Sequence, residues 1–199
     1  MNQAVITRTP RCSLPMLSLV GDITLLCGRV HEICGRARRS LAMMLANAQT
    51  GNDPVFWVTS NRGTDTLNPD GMASLMSPGR VVFLTPGSDQ DALWVLEETL
   101  RTGQVPLIVA DLPEPPGLTA VRRLHLAARA GQAHGPTAPL GLLLTPGEGG
   151  APGIETRWQM EPAHEEDGPQ WQITRLRARM APPRTWTLRA DARGLRLAA

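Results

Sequence analysis

The sequence predicts an α/β fold: a mixed, mainly parallel sheet flanked by helices and continued by antiparallel C-terminal strands. Three observations carry this prediction. Short apolar runs alternate with helix-period segments between residues 29 and 145, the pattern of parallel strands joined by crossover helices. After Pro146 the helical segments stop, and three stretches of alternating apolar and polar residues follow, separated by Gly, Pro and acidic clusters. A chain of 199 residues with 42% hydrophobic content also holds enough apolar side chain for one independent core. The expected organisation is an irregular lead-in over residues 1–21 and a single domain over residues 22–199.

Residues 29–34 (RVHEIC) read as the first strand and residues 36–49 as a helix, with Leu41, Met44, Leu45 and Ala48 on one face. Residues 54–59 (PVFWVT) form a second apolar strand, and a loop rich in Asn, Gly, Asp and Pro follows, with a helical turn at residues 71–76. Residues 80–84 are a third strand. The clearest helix spans residues 89–102: Ser88 and Asp91 have the spacing of a capping box, and Gly103 ends it. Its Ala92, Leu96, Thr99 and Leu100 make an inward stripe, leaving Glu97, Glu98 and Arg101 toward water. Residues 105–110 are a buried strand ending at Asp111, residues 119–130 a helix, and residues 140–145 a fifth strand. Residues 154–160, 171–179 and 184–189 are the late antiparallel strands.

Composition narrows the chemistry. All twenty basic residues are Arg, so a Schiff base, a pyridoxal phosphate anchor and a P-loop ammonium are excluded. The aromatics are two Phe and five Trp with no Tyr, which disfavours an RNA-binding sheet built on aromatic platforms. Net charge is only +2, but it is unevenly placed: seven Arg face Asp191 alone from residue 170 onward, after an acidic run containing Glu161, Glu165, Glu166 and Asp167. Cys12, Cys27 and Cys34 are too few for a disulfide framework and fit a reducing compartment. No apolar run approaches a membrane span, and residues 14–20 are too short and Pro-interrupted for a signal segment. A cytoplasmic protein without membrane contact is expected.

The motif-bearing stretch is residues 28–46, GRVHEICGRARRSLAMMLA, a strand running through a glycine turn into a helix. It resembles the RecA core, in which a G-R-hydrophobic-x-E-hydrophobic-x-G strand precedes the phosphate loop and an apolar helix. Gly28, Arg29, Val30, Glu32, Ile33 and Gly35 match that strand. The likeness continues in order through residues 55–58, residues 91–103 (DALWVLEETLRTG), residues 107–111 (LIVAD), which have the Walker B form, and residues 176–186 (LRARMAPPRTW). A RecA-like sheet is what the resemblance implies.

The departures are as informative. A phosphate loop needs G-x-x-x-x-G-K-S/T, so that a long backbone nest wraps the phosphates and Lys neutralises them. Here Gly35, Arg36, Ala37, Arg38, Arg39 and Ser40 occupy a shorter turn without the second Gly or the Lys. Where RecA carries a catalytic Glu, Ser60, Asn61 and Arg62 stand instead. Gly35, Arg38, Arg39 and Ser40 are thus a degenerate phosphate loop and Asp111 a degenerate Walker B residue, with no catalytic residue and no cofactor expected. Asp111 is expected to satisfy loop amides, and the helix start to offer only a weak anion site.

A RecA-like core with an erased phosphate loop resembles the ImuA family and its relative SulA, and residues 122–131 (RRLHLAARAG) resemble a recurrent ImuA helix. The resemblance implies a non-enzymatic accessory protein of the bacterial DNA-damage (SOS) response that supports error-prone translesion synthesis. Its implied partners are an ImuB-like polymerase-related protein and an error-prone polymerase, with RecA or DNA as further contacts. The alternatives are a SulA-like division inhibitor binding FtsZ and a noncanonical ATPase using Arg39, Ser40 and Asp111.

Other constellations have plainer readings. Cys27, His31 and Cys34 are spaced like metal ligands, but strand geometry sends His31 and Cys34 to opposite faces. Ser40 with His125 or His134 lacks a nucleophile elbow. Met43, Met44, Met72 and Met76 suit a core. Arg175, Arg177 and Arg179, spaced by two, would share one strand face, and with Arg184 and Arg189 form a strip for an acidic partner or nucleic acid.

Overall fold

The computed structural model of the chain describes residues 15–49, 51–59, 67–166, 168–191 and 194–198. Strands β1 (Met16–Val20) and β2 (Ile23–Leu26) form a hairpin, followed by β3 (Arg29–Cys34), α1 (Arg38–Ala48), β4 (Val55–Thr59) and α2 (Pro69–Met72). Next come β5 (Val81–Leu84), α3 (Asp89–Thr102), β6 (Leu107–Asp111), α4 (Leu118–His134) and β7 (Leu140–Leu144). The chain ends with β8 (Thr156–Pro162), β9 (Gln170–Ala178), β10 (Arg184–Asp191) and β11 (Gly194–Leu197).

Among the described residues, nine strands form one mixed sheet in the order β11-β10-β9-β8-β3-β7-β6-β4-β5. Every pairing from β5 across to β8 is parallel, and those from β8 out to β11 are antiparallel. This is the mixed, mainly parallel architecture predicted, with the antiparallel strands extending one side. Strands β6 and β7 are buried at every residue because helices cover both faces, which is why their sequences run LIVAD and LGLLL rather than alternating. On one face, α1 and the hairpin pack with Trp57, Trp158 and Trp186 and with the buried Met43, Met44, Met72 and Met76. On the other, α3 and α4 enclose Val30, Val58, Ile108 and Leu143.

The element boundaries differ from expectation in informative ways. Residues 16–20, expected as irregular lead-in, are a strand whose Leu17, with Ile23 and Leu25 of its partner, faces the core beside α1. Residues 1–14 of that lead-in lie outside the described residues. Helix α1 starts at Arg38 rather than Arg36, because the backbone before it bonds to other elements. Helix α4 runs four residues past Ala130, and β11 is an added edge strand. Helix α3 has its expected bounds: Ser88 Oγ accepts from Asp91 N at 3.1 Å and donates to Asp91 Oδ2 at 2.7 Å, and Gly103 closes it in the left-handed region at φ +61°. No helix of the described residues is long and apolar enough to cross a membrane.

Glu97, expected to face water, is buried between α3 and α4, where Arg101 and Arg123 pair with it, the latter at 2.8 Å. The helices approach so closely because Gly131 lies against the end of α3. A Cβ at Gly131 would fall 2.0 Å from Leu100 O and 3.1 Å from Gly103 Cα, both backbone atoms that cannot swing aside. Gly131→Ala is therefore expected to destabilise the fold by about 1–3 kcal/mol through overpacking, read as a lowered denaturant midpoint with an unchanged slope.

Candidate functional site

The turn between β3 and α1 lies at the carboxyl end of the parallel strands, where open α/β sheets place their ligands. Gly35 holds φ +88°, and a Cβ there would stand 2.5 Å from Met160 O and 2.7 Å from Glu161 Oε1, so only glycine fits beneath the end of β8. The turn's amides are already bonded. Gly35 N donates to Gly147 O at 2.9 Å, Arg36 N to Glu161 Oε1 at 3.1 Å and Ala37 N to Met160 O at 3.0 Å. Arg36 Nε donates to the other oxygen of Glu161 at 2.8 Å, and this bond holds the Glu161 carboxyl below its ordinary range. The anion site expected near the start of α1 thus carries a carboxylate of the protein itself.

Arg39 Nε donates to Asp111 Oδ2 at 2.5 Å, and Arg38 Nε lies 3.7 Å from Asp111 Oδ1. Asp111 is almost fully buried, and among the described residues it accepts from the Arg39 guanidinium and from no loop amide, unlike the sequence expectation. Asp111 Oδ1 and Arg38 Nε are each left without a hydrogen bond, so the second arginine contributes charge rather than directed bonding. Ser40 is the third residue of α1 and half-buried. The structure therefore brings Gly35, Arg38, Arg39 and Asp111 together at one sheet end. Ser60, Asn61 and Arg62 lie outside the described residues.

Glu32 and Arg157 went unassigned from sequence, and they organise this end of the molecule. Glu32 is fully buried; its Oε1 accepts from Thr145 Oγ1 at 2.8 Å, Gly150 N at 2.8 Å and Ala151 N at 3.1 Å, while Arg157 Nε donates to Oε2 at 2.5 Å. A Glu inside the otherwise apolar GRVHEIC strand was the available signal, since a buried carboxylate requires partners. Glu161 carried no comparable signal, because it sits within an acidic surface run.

His31, spaced from Cys34 like a metal ligand, is bonded within the fold. His31 is fully buried, with Nδ1 at 2.6 Å from Thr156 Oγ1 and Nε2 at 3.0 Å from Leu26 O, and burial pushes its pKa down to about 4. The buried Cys34 thiol donates to Trp158 O and is pushed up to about 12, chiefly by burial. Among the described residues, no group of three metal-ligating side chains converges. Cys12 lies outside them. Ser40 and the two histidines once paired with it sit on helices packed against opposite faces of the sheet, which removes that hydrolase arrangement.

The predicted arginine strip is split. Between Arg157 and Trp158 the β8–β9 register shifts, so that Arg157 faces Arg177 while Trp158 faces Arg175. The extra residue, Leu176, makes a bulge, and a bulge reverses the alternation that would have put three arginines on one face. Arg175 packs over the rings of Trp158 and Trp186, with its guanidinium carbon 5.7 and 5.3 Å from their centroids, and donates to Pro182 O. Arg184 also lies over Trp186 and pairs with Asp22 at 2.8 Å. Arg179 reaches the other side, toward Glu155 and His125, while Arg189 pairs with Glu165. Arg177 is exposed.

The fold and this turn define a mixed α/β protein whose strand-to-helix turn is filled by its own side chains. No protein-family model matches the chain, and no curated protein matches it.

Two outcomes are expected. Glu32→Gln leaves Arg157 largely buried without its counter-ion and should cost about 3 kcal/mol, whereas Glu161→Gln, at a solvent-accessible pair, should cost under about 1 kcal/mol; urea unfolding compares them. The second concerns pH. The folded-state pKa of His31 lies below the unfolded value near 6.5, so the unfolded chain takes up the proton first as pH falls. Stability is then lost from about pH 6.5 down to about pH 4, by about 2 kcal/mol between pH 7.5 and pH 5. His125, also pushed down to about 4 by burial and then by the Arg179 charge, adds a loss of the same sign. His31→Gln should flatten about half of that slope in urea midpoints measured across the range.

Proposed function

We propose that this chain is a non-enzymatic accessory protein of the bacterial DNA-damage response, with a RecA-like core and an ImuA-like role in error-prone translesion synthesis. The observation that carries the reading is the occupied turn. In a nucleotide-binding turn the free amides and a neutralising cation wait for phosphate. Here the amides of Gly35, Arg36 and Ala37 are bonded to Gly147, Glu161 and Met160, and the cation of Arg39 is bonded to Asp111. Admitting a triphosphate would require breaking the Arg36–Glu161 bonds and exposing a buried aspartate, both of which oppose the charge of the incoming ligand. The ordered resemblance from about Gly28 to Leu197 supplies the family reading. A protein of this kind acts in the cytoplasm through contacts with an ImuB-like polymerase-related protein and an error-prone polymerase, holding them together rather than turning over a substrate.

Calorimetric titration of ATP with Mg²⁺ into the whole chain is expected to give no saturable heat. Micromolar binding that Ser40→Ala abolishes would establish the noncanonical ATPase instead. Co-expression with a polymerase-related protein of the ImuB type is expected to yield a complex that survives gel filtration. A stable complex with FtsZ and none with the polymerase-related protein would replace the translesion role by division inhibition.

A further inference from the structure

Beside α4, on the sheet face away from α1, lies an open cleft of about 440 Å³ whose charged lining is Arg29, Arg122, Arg129, Glu155 and Arg179, with His125 beneath them. It shares no residue with the Gly35–Asp111 end of the molecule. Four guanidinium groups face one carboxylate, and that carboxylate is already shared, 3.5 Å from Arg29 and 3.6 Å from Arg179. Arg122 and Arg129 are exposed and have no ion-pair partner among the described residues. Residues 122, 125, 126 and 129 fall on one helical face, so the two free arginines stand two turns and about 10 Å apart along the axis.

The ring nitrogens of His125 are inaccessible and make no well-formed hydrogen bond, and the neighbouring Gly153 carbonyl accepts from Arg179 at 3.4 Å. The cleft therefore combines an excess of cations with an uncharged floor. Arg favours phosphate oxygens because its planar fork presents paired donors. The apolar part of the lining is Leu118 and Leu126, with no Trp or Phe, so it offers no platform for stacking unpaired bases.

We propose that this cleft binds the phosphodiester backbone of duplex DNA without reading its sequence, through Arg122, Arg129 and Arg179. The inference goes beyond the accessory role: a chain that captures no polymerase-related partner can still bind duplex here, and the converse also holds. It places the DNA contact on α4 and the end of β9, with only Arg179 drawn from the C-terminal arginines.

The test is fluorescence anisotropy with the full chain and a labelled duplex of about 20 base pairs, and with the matching single strand, across a salt series. Wild type is expected to bind duplex at least as tightly as single strand, with affinity falling steeply as salt rises. The Arg122→Gln/Arg129→Gln variant should lose about tenfold in affinity and flatten the log–log salt slope by about 1.8, the value for two phosphate contacts. Arg122→Lys/Arg129→Lys should restore the slope, which separates lost charge from lost folding, and circular dichroism checks the fold of both. Arg184→Gln/Arg196→Gln, removing two exposed charges outside the cleft, should leave binding unchanged. The proposal is overturned by absence of duplex binding, by tighter binding to single strand, or by equal losses in the two Gln double variants. Displacement of duplex by inorganic phosphate at matched ionic strength would likewise overturn it, marking a small-anion site.

Discussion

The buried carboxylate of Glu32 is the constraint on which the arrangement of this protein depends. It sits on β3, the strand that pairs in parallel with both β7 and β8 and therefore joins the two halves of the sheet. An ionised carboxylate at that depth is tolerable only if its lone pairs and its charge are met. They are met by Thr145 at the end of β7, by the amides of Gly150 and Ala151, and by Arg157, the residue directly opposite on β8. One side chain thus fixes where the parallel sheet ends, how the loop after β7 folds back, and where the antiparallel strands begin.

The consequence reaches the turn after β3. With β8 held beside β3, its Met160 carbonyl and Glu161 carboxylate come to lie over Gly35, Arg36 and Ala37, and the turn's amides bond to them. On the far side, Arg39 and Asp111 neutralise each other across the ends of α1 and β6. The chemistry of an anion site is all present: amides, cations and a strand-end acid. The three amides and Arg39 are bonded to other groups of the same chain, so the site holds the fold together where a related geometry would hold a ligand.

Arginine serves several distinct purposes in a chain without lysine. Arg80 is buried and donates to Asp53 O and Ala46 O, tying the turn before β5 to the end of α1. Arg175 and Arg184 lie over tryptophan rings, where a flat, weakly hydrated cation packs better than an ammonium could. Arg122 and Arg129 remain in solvent. Position in the sheet, rather than density along the sequence, separates these roles.

The sequence by itself determined the α/β class, the succession of strands and helices along the chain between residues 29 and 145, and the bounds of α3, because periodicity and capping are local properties of neighbouring residues; the order of the strands within the sheet was not among them. It also determined that the turn at Gly35 to Ser40 is too short and lacks the lysine for a phosphate loop. What it could not determine were contacts between distant segments: Glu161 reaching Arg36, Arg157 reaching Glu32, Glu97 buried by α4, and the hairpin at Met16 to Leu26 held by α1. The arginine strip shows the limit most clearly. Alternation along β9 is a local rule and placed Arg175, Arg177 and Arg179 on one face, but the bulge at Leu176 arises from pairing with β8 and reverses it. Strand register is set between chain segments that meet only in the folded state, and so the tertiary structure alone decided which of these charges were left to face solvent.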